Sequence, residues 1–298
     1  MARKFNTISL IGKFQSADGT ETVLELARFL RGRGLDPWIE QGTADSIGAA
    51  ADGFMTATYE EIADKGDLAV VVGGDGTLLN AARQLGERAV PLVGVNLGRL
   101  GFLTDLSRAD ACQQLGEILD GHYHAESRFM LDAEVTRDGS RIFHTQALND
   151  VVVNRGKLGR MIELELMVDG EFVYNLRSDG MIIATPTGST AYALAANGPI
   201  LHPGVGGIAL VPLCPHALTA RPVTLPDSCR IEIVLMPPHD ARIHFDGVTY
   251  CDVHAGDQLR VVRSALEVRL LHPKGYGYFA MLREKLHWSA AVPRQYNI

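Results

Sequence analysis

Cysteine is scarce in this chain. Cys112, Cys214, Cys229 and Cys251 are the only four among 298 residues, and no two form a C-x-x-C pair. Their spacing suits neither a zinc site nor a disulfide framework, so buried free thiols in a reducing compartment are expected. Long apolar runs are missing as well. None approaches the roughly 20 residues that a membrane-spanning helix needs, and Met1 to Lys13 lacks the apolar core of a secretion signal. The expectation is a cytoplasmic protein with no membrane partner. Blocks of Lys and Arg do not occur, and 28 basic residues are outnumbered by 35 acidic ones, for a formal charge of −7. Such a surface repels the phosphate backbone of nucleic acid, which is therefore not expected as a partner. A small anionic ligand remains compatible, because local backbone dipoles can hold one. Internal repeats and low-complexity segments are also absent. What remains is an ordinary globular composition, 46% hydrophobic and 21% charged, in a length that fits one large or two medium domains.

The first half alternates strand and helix signals. Asn6 to Ile11 reads as a strand. Glu21 to Arg31 reads as an amphipathic helix with Val23, Leu24, Leu26, Ala27 and Leu30 on one face. Tyr59 to Asp64 has the pattern of a helix end. Leu68 to Val72 is a continuous apolar run, as in a strand buried on both faces of a parallel sheet. Thr77 to Leu85 then predicts a helix and Pro91 to Val95 the next strand. This order predicts a Rossmann-like, doubly wound α/β domain.

After about Gly121 the pattern changes to short segments and tight turns. Asp138-Gly139, Asp169-Gly170 and Asp246-Gly247 are hairpin-type dipeptides. Glu163 to Met167 and Phe172 to Asn175 predict the two arms of one hairpin, and Cys229 to Leu235 and Gln258 to Val262 predict later strands. Tyr276 to Trp288 returns to helical spacing. The expected organisation is an α/β domain over residues 1–146, a mostly antiparallel β domain over 147–274, and a C-terminal helix within 275–298 that packs back on the first domain.

The strand Leu68 to Val72 runs into Gly73-Gly74-Asp75-Gly76-Thr77, and a helix follows. Ligands of open α/β sheets sit beyond the carboxyl ends of strands. Glycines allow a sharp turn and a close backbone approach to a ligand, and their N–H groups with the helix N-terminus suit phosphate oxygens. The spacing is neither that of a P-loop nor that of a dinucleotide-binding Rossmann turn. An acid in a phosphate turn repels phosphate, so Asp75 calls for another task, and accepting a proton from an attacking hydroxyl is the natural one. The plain structural alternative is a helix N-cap or turn residue.

The GGDGT segment resembles that of NAD kinases, of diacylglycerol and sphingosine kinases and, more loosely, of phosphofructokinases. Later segments single out the first of these. Asn96 to Thr104, NLGRLGFLT, is similar to the N-x-G-x-L-G-F-L-T segment of NAD kinases, and Asn149-Asp150 to their N-[ED] pair. Ser178-Asp179-Gly180, Thr185 to Tyr192 (TPTGSTAY) and Gly198 to Pro203 resemble their most specific signature, and the likeness continues to His272-Pro273-Lys274. The resemblance covers nearly the whole chain. It implies phosphoryl transfer from ATP to the adenosine ribose 2′-hydroxyl of NAD, with Mg²⁺ or another divalent cation carried by the nucleotide.

The resemblance also implies residue roles. Asp75 becomes the general base, a contribution of roughly 10²–10⁴ in rate. Gly74 and Gly76 let phosphate oxygens approach the backbone. Phe102 forms a wall against the adenine, or is core. Asn149, with donors and an acceptor, suits an amide or adenine edge, and Asp150 a ribose diol. Thr187 and Thr190, with Ala191 and Ala195 on the helix expected over Ala191 to Ala196, form a polar cradle beside Tyr192, which stacks on a ring or packs in the core. Arg160, Arg177, Asp179 and His216 match further NAD-site positions, with Asp179 and His216 reaching a ligand on a neighbouring subunit. A homodimer or homotetramer follows. An ion pair within the chain is the alternative for Arg177 and Asp179.

Two departures from the family pattern stand out. Ala195 occupies a position where Ser is frequent, and Val248 one where Gln is frequent, so the choice between NAD and NADH stays open. Two other readings are compatible with GGDGT: a lipid or sphingoid-base kinase, and a non-catalytic NAD(P)-binding sensor.

Overall fold

The computed structural model describes residues 5–13, 15–98, 101–156 and 160–288. The first strand and helix are β1 (Ile8–Gly12) and α1 (Ala17–Gly32), followed by β2 (Trp38–Glu40), α2 (Gln41–Ile47), β3 (Met55–Ala57) and α3 (Tyr59–Lys65). Next come β4 (Leu68–Val72), α4 (Asp75–Leu85), β5 (Leu92–Asn96), β6 (Leu106–Ser107) and α5 (Ala111–Leu119). A run of strands follows: β7 (Tyr123–Arg137), β8 (Ser140–Ala147), β9 (Asp150–Arg155), β10 (Ile162–Val168), β11 (Glu171–Ser178) and β12 (Gly180–Ala184). The single-turn helix α6 (Tyr192–Ala195) precedes β13 (Gly207–Leu213), β14 (Val223–Pro226), β15 (Ile231–Leu235), β16 (Ala241–Phe245), β17 (Thr249–Val253), β18 (Gln258–Pro273) and α7 (Tyr278–Leu286).

Two compact units emerge, residues 1–126 with 269–298, and residues 127–268. The chain passes from one to the other within β7 and returns within β18. The division lies some way before the expected boundary at 146/147. The reason is the β7–β8 hairpin, which sends Leu131, Ala133, Val135 and Ala147 into the core of the second unit.

In the first unit the strands pair in parallel in the order β3-β2-β1-β4-β5, and the end of β18 pairs with β5 through Leu270 and Leu92. All five residues of β4 are buried, which is why LAVVV has no polar alternation. Helix α1 starts earlier than the periodicity predicts because the Ser16 hydroxyl caps it, accepting the Gly19 N–H at 3.1 Å. Its face of Val23, Leu24, Leu26, Ala27 and Leu30 is buried as expected. Residues 59–65 are a whole short helix rather than the end of one, because Thr58 and Glu61 form a capping box at its start.

The second unit is antiparallel throughout its described pairings. One sheet runs β14-β13-β12-β9-β16-β17, and a second layer contains β11-β10-β15-β18 with β7 and β8. Val151, Met181, Ile183, Leu210 and Phe245 from the first layer and Leu164, Ile233, Leu259 and Val261 from the second share one core. The outer face of β9, β12 and β13 is covered as well, by a cluster that includes Val152, Ile182, Val211 and Ala193 of α6. Strands β12 and β13 are therefore buried at every position, whereas β15 and β16 alternate. All three Asp-Gly dipeptides close hairpins with positive φ at both residues.

The structure corrects one expectation and shortens another. The cysteines are unpaired, but only Cys229 is buried. Cys112 on α5 and Cys251 on the edge strand β17 are half-buried, and Cys214, just past the end of β13, is exposed. The helix expected over Ala191 to Ala196 is present as the shorter α6, Tyr192–Ala195, and a 3-10 turn, Gly188–Thr190, leads into it. Its hydroxyl-rich start bonds to nearby carbonyls and so tightens the backbone. Arg99 and Leu100 of the NLGRLGFLT segment lie outside the described residues. No helix among the described residues is long and apolar enough to cross a membrane.

Candidate active site

Asp75 is the first residue of α4 and follows the carboxyl end of β4, where the strand order reverses between β1 and β4, the position at which such sheets bind ligands. It does not cap its own helix. Gly74 occupies the cap position, and its carbonyl accepts the N–H groups of Thr77 and Leu78. The Asp75 carboxylate turns to the 101–104 segment instead. Oδ2 accepts the Phe102 N–H at 2.9 Å, and Oδ1 accepts the Leu103 N–H at 3.0 Å and the Thr104 hydroxyl at 3.3 Å. A carboxylate offers about four lone-pair positions, so among the described residues one on Oδ2 stays open.

The segment is itself braced. Asn96 Nδ2 donates to Thr104 Oγ1 at 2.9 Å, and Asn96 Oδ1 accepts the Gly98 N–H at 2.6 Å. A Cβ on Gly101 would run into the Asp75 carboxylate and the Thr104 hydroxyl, so glycine is required there by close approach. Gly74 and Gly76 are different. Apart from the adjoining backbone, a Cβ on either would meet no atom of the described residues within 4 Å, and both have ordinary negative φ or extended backbone. Nothing within the first unit demands glycine at these two positions, which is what a backbone reserved for a ligand looks like. Phe102 is half-buried and presents part of its surface.

In the second unit, Asp246 holds the Asn149-Asp150 pair. With φ of 52° at the β16–β17 turn, its carboxylate accepts three successive N–H groups, those of Leu148 at 2.9 Å, Asn149 at 2.7 Å and Asp150 at 3.1 Å. From sequence Asp246 reads only as a turn residue; its conformation suits the turn, and its carboxylate gathers the N–H groups. Asp150 is 5% exposed, and burial, followed by the charge of Asp246, pushes its carboxyl up to about 7.

The TPTG segment is stapled to the same place. The Thr185 N–H donates to the Asn149 carbonyl at 2.9 Å and its hydroxyl to the Leu148 carbonyl at 2.6 Å. Gly188 stands against Asn149, whose backbone carbonyl a Cβ would strike. Ser189 donates to the Pro186 carbonyl at 2.6 Å and Thr190 to the Thr187 carbonyl at 3.2 Å, while Thr187 Oγ1 accepts from the buried Arg128 at 3.2 Å. The hydroxyls of the expected cradle thus brace their own loop. Two groups of this cluster remain outward: the Asn149 side chain, which makes no hydrogen bond among the described residues, and Tyr192, which is 49% exposed and not core.

Comparison with known proteins gives a consistent result. The ATP-NAD kinase N-terminal domain matches residues 8–123 and the ATP-NAD kinase C-terminal domain matches residues 148–272. The NAD kinase of Azoarcus sp. is 72% identical over 294 residues, 99% of each chain. That of Aromatoleum aromaticum is 70% identical over 295 residues, 99% of this chain and 98% of its own. The crystal structure of yeast NADH kinase complexed with NADH superimposes with a TM-score of 0.88 at 25% identity, over 99% of this chain and 91% of that one. The chain belongs to the NAD kinase family. The lipid-kinase reading of GGDGT has no support beside such full-length likeness.

The remaining positions expected from the NAD kinase resemblance lie at three places. Arg177 and His216 are exposed neighbours, the His216 N–H donating to the Arg177 carbonyl at 2.9 Å. Asp179 pairs with Arg155 at 3.2 Å rather than with Arg177, because β12 turns away at Gly180 and brings residue 154 opposite. Arg160 is exposed and borders a cavity of about 620 Å³ with Arg155 and Arg242. Asp150 and Arg155 begin and end β9, so this cavity lies at the other end of that strand from the Asn149 cluster. Ala195 is exposed and Ala191 half-buried beside Tyr192.

Proposed function

We infer that this chain is an NAD kinase, an enzyme that transfers the γ-phosphoryl group of ATP to the 2′-hydroxyl of the adenosine ribose of NAD, yielding ADP and NADP. Asp75 is the general base. Its Oδ2 accepts the hydroxyl proton as the ribose oxygen bonds to phosphorus and the bond from phosphorus to the ADP oxygen breaks. The observation that carries this reading is the Asp75 carboxylate, fixed by three donors with one acceptor position left, beside Gly74 and Gly76 with open space over them. Rigid placement of the base supplies the orientation on which in-line transfer depends.

Asn149 and Asp150 serve the adenosine, Tyr192 and Phe102 offer ring faces, and Thr187 and Thr190 keep the loop in shape. The divalent cation, Mg²⁺, enters as part of the nucleotide substrate and neutralises β- and γ-oxygens. Subunits associate as a homodimer or homotetramer, with Asp179 and His216 serving a neighbour's site. The four unpaired thiols suit a cytoplasmic location.

The test is a coupled assay for NADP formed from ATP, Mg²⁺ and NAD, run on the wild type and on Asp75→Asn. The wild type is expected to turn over, and the variant to keep its fold and bind NAD while losing at least about 10²-fold in kcat. A variant with near wild-type turnover removes Asp75 from the role of base. A wild type that forms no NADP removes the activity itself.

A further inference from the structure

His272, near the end of β18, is 1% exposed and has a carboxylate on each ring nitrogen. Nδ1 lies 2.7 Å from Asp105 Oδ2 and Nε2 lies 3.1 Å from Glu126 Oε2. Both carboxylates are largely buried, at 10% and 18% exposed. An imidazole can donate from both nitrogens only when protonated; in the neutral ring one lone pair would face an anion. Burial pushes the ring toward its neutral form, but the hydrogen bonds to Asp105 and Glu126, with their charges, outweigh it and the net shift is upward. The titratable groups facing the ring are Asp105 ahead of β6, Glu126 and His124 on β7, and Tyr276 beyond β18, whose ring stacks at 3.9 Å.

Asp105 directly follows Thr104. Phe102, Leu103 and Thr104 are the donors that hold Asp75. The segment that aims the base is therefore tied at two places: from β5 through Asn96 and Thr104, and from β18 through His272 and Asp105. Leu270, two residues before His272, is in register with Leu92 of β5, so the tie rises from the same sheet that carries Asp75. A buried cation between two anions is a costly way to fill space, since apolar side chains would serve packing as well. What it adds is a fixed direction for Asp105.

We propose that His272, as an imidazolium clamped between Asp105 and Glu126, is a positioning residue for the reaction: it holds the 102–105 segment in the register that aims the Asp75 carboxylate. The inference rests on Asp75 being the base. The clamp is complete at pH values below the point where His272 loses its proton and is lost as pH rises through it.

The experiment uses full-length enzyme with Asp75→Asn, His272→Gln, Glu126→Gln and the double variant Asp75→Asn/His272→Gln. Readouts are kcat, KM for ATP and NAD, the pH profile of kcat, thermal unfolding, and the imidazole ¹⁵N signals of His272. His272→Gln is expected to fold and to lose about ten- to a hundred-fold in kcat, with both KM values within about threefold of wild type. The double variant should be no slower than Asp75→Asn alone. Glu126→Gln removes one anion, so the alkaline limb of kcat should move to lower pH, together with the loss of the second ring proton in the ¹⁵N signals. A folded His272→Gln with wild-type kcat and an unchanged pH profile overturns the clamp. Should His272→Gln fail to fold, Glu126→Gln decides, and an unmoved alkaline limb overturns it. An active Asp75→Asn sinks the base, whereas an inactive one alongside unaffected His272 and Glu126 variants sinks only the clamp.

Discussion

Asp150 is a carboxyl held in two opposed ways. Its backbone N–H helps to satisfy Asp246, and its side chain is buried close to that same charge. In the unfolded chain it titrates near 3.8, and in the fold near 7. The folded state therefore holds the proton more tightly. No penalty exists below the unfolded value, and the penalty grows as pH rises toward the folded one. Replacing Asp150 with Asn should raise stability by up to roughly 3 kcal/mol more at about pH 8 than at about pH 5, at about 1.4 kcal/mol for each pH unit between the two values. Urea unfolding at the two pH values checks this; equal gains at both would mean that Asp150 titrates normally. Tyr192 poses the opposite case, a large ring left in solvent. Tyr192→Ala should change stability by less than about 1 kcal/mol and raise KM for NAD about two- to tenfold, the equivalent of one lost ring contact. Steady-state kinetics beside a thermal melt separates the two effects.

At the level of elements, the glycines divide by what surrounds them. Gly76 lies in the first turn of α4 with nothing within 4 Å of a Cβ. Gly76→Ala should stabilise the free protein by about 0.5–1 kcal/mol, because Ala is the better helix former, while raising KM for ATP. Such a split marks space kept for a ligand rather than for packing. Gly188 stands against the Asn149 carbonyl, so Gly188→Ala must push two stapled segments apart. A loss of more than about 3 kcal/mol in unfolding free energy is expected there. The reverse pattern in a pair of melting curves would show that these loops owe their shape to something else. The hairpins obey simpler rules: Asp-Gly at φ values above zero closes each of the three, and the strands beside them follow.

For the molecule as a whole, the proposed sharing of sites between subunits makes a sharp expectation. Asp75→Asn and Asp179→Ala should each be nearly inactive. Refolded as an equal mixture, they should recover about a quarter of wild-type activity, since half of the random twofold pairs contain one intact site of two. Light scattering on the same samples reports the assembly. A mixture no more active than its parents would mean that Asp179 serves its own subunit, as its ion pair with Arg155 allows.

Much of this was open to reading from sequence. LAVVV announced a strand buried on both faces, GGDGT a glycine turn into a helix at its end, the Asp-Gly pairs their hairpins, and the Thr185 to Tyr192 block its family, because each is a local pattern with a local cause. Contacts between distant residues left no such trace. That Asp75 turns away from its own helix to meet Phe102 and Leu103, that Asp246 gathers the N–H groups of residues 148–150 from nearly a hundred positions away, and that His272 finds both Asp105 and Glu126 are matters of tertiary structure. Carboxylates and imidazoles carry no periodicity, and their partners are chosen by where the folded backbone leaves unsatisfied N–H groups and buried charge. The sequence by itself determined many of the elements, the family and the place of the candidate base. Only the fold decided how that acid is held, because a side chain's direction depends on donors that the chain brings near after it has closed on itself.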